Sequence, residues 1–335
     1  MTCGTGPLVD AFNRRITYLR LSVTDRCDLR CTYCMPERMQ FLPRKEVLTL
    51  EELHKLSLGM MARGISKIRL TGGEPLVRRD MMDLVRALGR RIGDGLEELT
   101  LTTNGTQLAD YADDLAAAGV RRVNVSLDTL DPQLFADLTR RNRLNEVLQG
   151  ITAAREAGLK VKINTVALKG LNQDHLPEMI AWAHSEGHDL TLIEVMPLGE
   201  VEGDRVDHYL PLTAVRDVLD QRFTLQPSTD SSGGPARYFD IEETGGRLGL
   251  ISPLTNNFCA GCNRIRVTAT GQLYACLGGA EKVDLREALR SDDPDLRLGQ
   301  ALDEAMRIKP EKHHFQIDKR GAVPAQPRHM SLTGG

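Results

Sequence analysis

Over about the first 200 residues, apolar and polar positions follow one repeating rhythm. Short runs rich in β-branched residues occur at TYLRLSV, SKIRLTGG, EELTLTTNG, RRVNVSLDT, KVKINTVAL and DLTLIEVMPL. Between them, apolar residues recur every three to four positions, as in helices with one buried face. The pattern predicts helices from Leu50 to Ala62, Arg79 to Gly89 and Leu108 to Ala118, the last closed by Gly119. Six strand–helix repeats in succession predict an α/β fold on a parallel sheet with right-handed crossovers. Periodicity leaves open whether that sheet is a barrel, complete or partial, or an open doubly wound sheet.

In either architecture chemistry gathers at the C-terminal ends of the strands. Those ends carry Thr24 and Asp25, Thr71 to Glu74, Thr102 to Asn104, Ser126 and Asp128, Asn164, and Glu194 with Met196. Any one of these reads as a turn or capping residue; all on one rim read as a site. The rhythm changes after PSTDSSGGPAR at 227–237. RLGLIS and RIRVTATGQLYAC read as strands, Ala269-Thr270-Gly271-Gln272 as a hairpin turn, and two helical runs follow. The expected division is a main part, residues 1–225, and a smaller, partly antiparallel C-terminal part, residues 226–335.

Composition narrows the partners. Hydrophobic content is 41%, charged content 27% and net charge −3, so no global field draws the chain to nucleic acid or an anionic membrane. No apolar run is long enough to span a bilayer, and the N-terminal MTCGTGPLVDAFNRR has no signal-peptide core. A cytoplasmic setting follows as the expectation. Seven cysteines, an odd number, then point to metal or catalytic thiols rather than a disulfide framework. Cys3 stands alone and reads as a free thiol on a mobile tail.

Cys27, Cys31 and Cys34 follow the first strand. Structural zinc takes four tetrahedral ligands, and no fourth Cys or His occurs before His54. Iron–sulfur clusters also usually take four thiolates, so a cubane on three leaves one iron open for a chelating ligand. The C-x3-C-x2-C spacing, with Tyr33 before the last cysteine, resembles the signature of the radical S-adenosylmethionine (SAM) superfamily. There the open iron binds the amino and carboxylate groups of SAM. Thr71-Gly72-Gly73-Glu74-Pro75 resembles that superfamily's GGE motif, where glycine permits close approach to the methionine amino group.

Cys259, Cys262 and Cys276 form a second group, for which spacing alone leaves a zinc ribbon open. Arg264 and Arg266, two apart on a strand, share one face beside it. Paired guanidiniums suit an anion-rich ligand such as a phosphate chain. Arg20 and Arg69 lie inside apolar strands, where unpaired charge is costly, and Lys162 lies on a third. Together these cations suit a triphosphate. With no Walker A loop and no GxGxxG, a nucleotide would be held some other way. His313 and His314 read as solvated tail residues.

Taken together, RLSVTDRCDLRCTYCMP, IRLTGGEPLVRRD, LTTNG, NVSLDTL, VKINTV, CAGCNRIRVTATGQLYACL and the terminal Gly-Gly resemble the GTP 3′,8-cyclase family of molybdenum cofactor biosynthesis. The resemblance implies a partial (β/α)6 TIM-like barrel whose mouth is closed by a smaller C-terminal α+β layer. It implies two 4Fe-4S clusters, one on each cysteine group, the second binding GTP, with SAM as cofactor. Tyr33, Gly73, Ser126 and Met196 match SAM contacts. Arg20, Arg69, Thr102, Lys162, Arg264 and Arg266 match GTP contacts. Gly334 and Gly335 match a tail that reaches the reacting centre. The implied lyase reaction has a 5′-deoxyadenosyl radical take the ribose 3′ hydrogen of GTP, after which the carbon radical attacks guanine C8 and a further electron and proton give 3′,8-cyclo-7,8-dihydro-GTP. A low-potential electron donor and a downstream cyclic pyranopterin monophosphate synthase are the implied partners, and a homodimer is compatible with the chain. Two positions depart from the family pattern. Thr191 stands where an arginine is common, removing one charge near the cofactor. Gly278 stands where a phenylalanine is common, with looser packing behind the second cysteine group as the expected result.

Overall fold

The computed structural model describes residues 6–201, 204–230, 233–317, 320 and 324–334. Among the described residues, twelve strands form one sheet. They are β1 (Tyr18–Ser22), β2 (Lys67–Thr71), β3 (Glu98–Thr103), β4 (Arg122–Ser126), β5 (Lys160–Ala167), β6 (Asp189–Glu194), β7 (Leu225–Pro227), β8 (Arg237–Ile241), β9 (Arg247–Ile251), β10 (Arg264–Val267), β11 (Gln272–Tyr274) and β12 (Lys282–Asp284). Their spatial order is β12-β11-β10-β1-β2-β3-β4-β5-β6-β9-β8-β7. β1 to β6 lie side by side in chain order and pair in parallel, as the six repeats require. This is the partial (β/α)6 barrel.

The C-terminal part extends that barrel from both edges. β10 adds to β1 and β9 to β6, both parallel. β11 and β12 on one side, and β8 and β7 on the other, then continue antiparallel. The hairpin expected at Ala269–Gln272 joins β10 to β11. Gly271 sits there at φ +85°, and an added Cβ would lie 3.0 Å from the Arg286 backbone nitrogen, so only glycine fits.

Local sequence accounts for the helices. Thr49 caps the helix Leu50–Ala62, with Glu52 returning the bond to the Thr49 amide in a capping box. Asp131 caps Pro132–Thr139, with Pro132 in the first turn. Gly119, at φ +87°, ends Leu108–Ala117 as expected. Leu53, Leu56 and Met60 on the first helix join Leu19, Leu21, Ile68 and Leu70 of the sheet in one apolar core. Every residue of β1 is buried, as expected for a central parallel strand. Each such aliphatic side chain contributes roughly 1.5–3 kcal/mol on burial. None of the described helices is long and apolar enough to cross a membrane.

Strand register decides what the polar exceptions do. Arg20 on β1 is paired with Arg69 on β2 and with Arg266 on β10. Three guanidiniums, drawn from two distant parts of the chain, thus form one row across adjacent parallel strands.

Candidate active site

Cys27, Cys31 and Cys34 occupy the loop after β1, and backbone bonds fix that loop against the rim. Gly73 N–H donates to Thr24 O and Glu74 N–H to Arg26 O, both at 2.8 Å. Arg30 N–H and Thr32 N–H donate to Thr139 O and Leu138 O, both at 2.9 Å. The two strand-end glycines are a steric consequence. A Cβ on Gly73 would lie 2.3 Å from Arg26 O, and one on Gly72 would lie 2.5 Å from Thr24 O. Asp28 accepts from Thr106 Oγ1 (2.6 Å), Asn104 Nδ2 (2.7 Å) and the Arg143 guanidinium. Asn104 Nδ2 also lies 3.6 Å from Cys27 Sγ.

Two carboxylates brace this cavity from beneath. Glu74, wholly buried, accepts from Leu76 N, Thr103 Oγ1 and Asn104 N, and burial pushes its carboxyl up to about 7. Tyr33 Oη donates to Asp128 Oδ2 at 2.5 Å, while Val166 N donates to Asp128 Oδ1 at 2.8 Å. Burial raises Asp128 to about 6. Burial also pushes the Cys27 thiol up to about 12 and the Cys34 thiol up to about 11. Bound metal is what lets thiols so placed ionise. The three cysteines share a cavity wall with Gly72, Gly73, Asn104 and Ser126. Among the described residues no three His, Cys, Asp or Glu side chains converge on a single-ion site. Three thiols on one loop suit a cubane, in which each takes its own iron.

A second cavity adjoins the first. Cys259, Cys262 and Cys276 line it together with Arg20, Arg69, Arg264, Arg266 and Lys162. Arg20 and Arg266 are buried, yet among the described residues no carboxylate pairs with any of these four arginines. Arg20 Nε and Nη2 and Arg69 Nε have no hydrogen-bond partner. Burial, and then the neighbouring Arg266 and Arg69, push Arg20 well below the usual arginine value; Arg266 is pushed down to about 9 by burial and then Arg264. Lys162 Nζ donates to Tyr238 Oη at 2.6 Å. Burial, and then Arg69, bring Lys162 down to about 7. So much buried positive charge without counter-charge is unfavourable until an anion enters.

Asn164, Ile193, Met196 and Met330 line both cavities, so a ligand in one reaches a ligand in the other. Tyr33, Gly73, Ser126 and Met196 lie on the first cavity. So does Thr102, whose buried hydroxyl has no partner; it is not on the arginine cavity. The tail arrives between them. Arg266 Nη1 donates to Gly334 O at 2.9 Å, and a Cβ on Gly334 would lie 1.8 Å from Thr71 Oγ1. Gly335 and Cys3 lie outside the described residues.

Two expectations are corrected. His313 is not a solvated tail residue. It lies on the second cavity, its ring 4.5 Å from that of Phe315 and its Nε2 buried without a partner. The segment after Pro310 folds back because Phe315 is apolar and finds cover there; His314 stays exposed. Gly278 does not loosen the packing, since a Cβ there would lie 2.7 Å from His313 Cβ and 3.0 Å from the Phe315 ring, which already fill the space. At Thr191, a Cβ on the facing Gly249 would lie 2.7 Å from Thr191 Oγ1 and 3.1 Å from the Tyr238 ring.

Sequence reasoning missed three residues of the site. Arg14 donates to Cys259 O at 2.8 Å while pairing with Asp10 at 2.6 Å. Lys309 is buried beside Cys262. Tyr238 holds Lys162. Nothing local marks Lys309 or the bond from Arg14 to Cys259, because those partners are distant in the chain. The adjacent aromatics Tyr238 and Phe239 in a short strand were the available signal for Tyr238.

The barrel and its loop of three cysteines define a radical SAM protein, and residues 21–183 match the Radical SAM superfamily. Residues 188–315 match Molybdenum Cofactor Synthesis C. The GTP 3′,8-cyclase of Erythrobacter litoralis (strain HTCC2594) is 70% identical over 328 residues, covering 98% of each chain. That of Sinorhizobium medicae (strain WSM419) is 58% identical over 332 residues, 99% of this chain and 95% of the relative. This chain belongs to the GTP 3′,8-cyclase family. Among solved structures, Streptococcus suis SuiB bound to S-adenosylmethionine superposes with a TM-score of 0.62 at 18% identity, over 89% of this chain and 69% of that one. Native anSMEcpe with bound AdoMet gives 0.57 at 16% identity, over 83% and 81%. Both likenesses concern the fold.

Proposed function

We infer that this chain converts GTP to 3′,8-cyclo-7,8-dihydro-GTP, the first step of molybdenum cofactor biosynthesis, as a radical SAM lyase. The ribose 3′ hydrogen atom passes to the 5′-deoxyadenosyl radical, C3′ becomes bonded to guanine C8, and one further electron and proton complete the 7,8-dihydro product. One observation carries the substrate. Arg266, Arg20 and Arg69 stand in one row, buried or half-buried and without carboxylate partners, beside a second set of three cysteines. A polyphosphate supplies the missing charge.

A 4Fe-4S cluster, when bound to Cys27, Cys31 and Cys34, supplies the electron that splits the carbon–sulfur bond of SAM. Cys259, Cys262 and Cys276 would hold a second cluster, which would supply a metal contact for the purine of GTP. Tyr33, Gly73, Ser126 and Met196 are assigned to SAM. Gly73 leaves room for close approach, and Tyr33 is fixed by Asp128. Arg20, Arg69, Lys162, Arg264 and Arg266 are assigned to GTP, and Thr102, from the SAM side, to the ribose where the two ligands meet. Gly334 and Gly335 are assigned to the reacting centre, with Arg266 holding the Gly334 carbonyl. Met330, on both cavities, and Phe315, on the second, give apolar cover that keeps water from the ligands. In this reading residues 1–225 generate the radical and residues 226–335 bind its target. A low-potential reductant, a downstream cyclic pyranopterin monophosphate synthase, a homodimer and the cytoplasm complete the proposed setting.

The test is anaerobic incubation of reconstituted protein with SAM, dithionite and GTP. About eight irons with matching sulfide per chain are expected from two cubanes, together with deoxyadenosine and loss of GTP. Cys27→Ala abolishes deoxyadenosine, whereas Arg266→Ala mainly raises the KM for GTP. Deoxyadenosine formed while GTP stays intact would sink the substrate assignment.

A further inference from the structure

Lys309 is a buried cation that the reaction as described does not use. Its side chain is 3% exposed, in the segment that follows the helix Pro294–Arg307. Nζ lies 2.5 Å from Ala275 O, 3.1 Å from Arg264 O and 3.8 Å from Cys262 Sγ. Carbonyl oxygens only accept. Three acceptors around one nitrogen call for three N–H donors, which only the ammonium form has. Among the described residues no carboxylate lies within ion-pair distance of it, and the nearby Arg14–Asp10 pair is already mutually satisfied at 2.6 Å. A buried ammonium without counter-charge is unfavourable, so the charge it answers must be the sulfur it faces.

Its placement is also specific to the ligand set. Arg264 is two residues past Cys262, and Ala275 immediately precedes Cys276. One ammonium therefore ties together both chain segments that carry these cysteines, and its third donor points at a sulfur. Arg264, the other cation close to Cys262, is half-buried, with its guanidinium over the Phe258 ring at 4.9 Å.

Resting on the second-cluster reading above, we propose that Lys309 is a positioning residue that sets the charge environment of the cluster on Cys259, Cys262 and Cys276 and raises its reduction potential. Hydrogen bonds to the sulfurs and net local charge are what set such potentials. A fixed cation at a ligand sulfur favours the reduced, more negative cluster.

The test uses the full chain carrying Cys27→Ala, Cys31→Ala and Cys34→Ala, so that only the second cluster assembles. Its midpoint is followed by EPR during anaerobic potentiometric titration. Lys309→Met and Lys309→Gln should each lower the reduced-to-oxidised ratio at fixed potential by at least tenfold, ~59 mV downward for one electron. Lys309→Arg should restore most of it. Lys309→Gln keeps hydrogen-bond donors without charge, so a Gln midpoint equal to the parent's overturns the proposal and leaves Lys309 as a structural tie. If neither neutral variant holds the cluster, metal-free thermal midpoints decide. Values equal to the parent's support the proposal, since the loss then appears only with the cluster present; falls that match the loss of the holoprotein overturn it. A parent with no iron or sulfide overturns the second-cluster reading itself, and the proposal with it.

Discussion

Gly73→Ala is the sharpest test of how the strand ends hold the cysteine loop. The added methyl would lie 2.3 Å from Arg26 O, 2.6 Å from Arg26 C and 2.8 Å from Asp25 O. All are backbone atoms, so no side chain can rotate away. Ordinary contact begins at 3.4 Å, so the loop must withdraw by about 1 Å. That withdrawal works against the Glu74 N–H to Arg26 O bond at 2.8 Å, one residue before Cys27. Overpacking of this kind costs ~1–3 kcal/mol of stability. A displacement of about 1 Å at a reacting centre costs on the order of 100-fold in rate. The expected outcome is a modestly lowered thermal midpoint, but deoxyadenosine formation reduced about 100-fold with SAM and dithionite, even without GTP. Iron and sulfide should fall at the first site alone, which the Cys259→Ala, Cys262→Ala, Cys276→Ala background isolates. Wild-type iron content together with a wild-type deoxyadenosine rate would refute the steric argument.

Three further outcomes follow from two buried polar groups. Lys162, brought down to about 7 from the ordinary 10.5, makes the unfolded chain bind more protons between those values, so ligand-free stability should rise with pH across that window. GTP phosphates return the proton, so binding near pH 8 should take up on the order of one proton; calorimetry in buffers of different ionisation enthalpy reads this, Lys162→Met should abolish it, and proton-neutral binding by the wild type would contradict it. Thr191 is fully buried with no partner for Oγ1, so Thr191→Val should raise stability by up to ~1 kcal/mol in chemical denaturation, and a loss of stability would show that the hydroxyl is satisfied.

Much of the site was legible because its signals are local. Cys27, Cys31 and Cys34 lie within eight residues, and the glycines of Thr71-Gly72-Gly73-Glu74-Pro75 mark a backbone with no room for a side chain. Arg20 and Arg69 were conspicuous as charges inside apolar strands. The groups that complete the second cavity carried no such mark. Lys309 reads as the first of several basic tail residues, and His313 as one of a solvated pair, until Phe315 folds the segment inward.

The sequence by itself determined the elements of the parallel barrel and the metal chemistry of the first cysteine group. Periodicities of two and three to four residues are written in consecutive side chains, and so is the spacing of thiols along one loop. Only the tertiary structure decided that β10 pairs in parallel with β1, in the register that sets Arg266 beside Arg20 and Arg69. It also decided that Gly334 meets Arg266 and that Lys309 meets Cys262. Those choices are made by burial and hydrogen bonding between segments far apart in the chain. No local propensity records them, because each segment is compatible with many partners until the core closes around one.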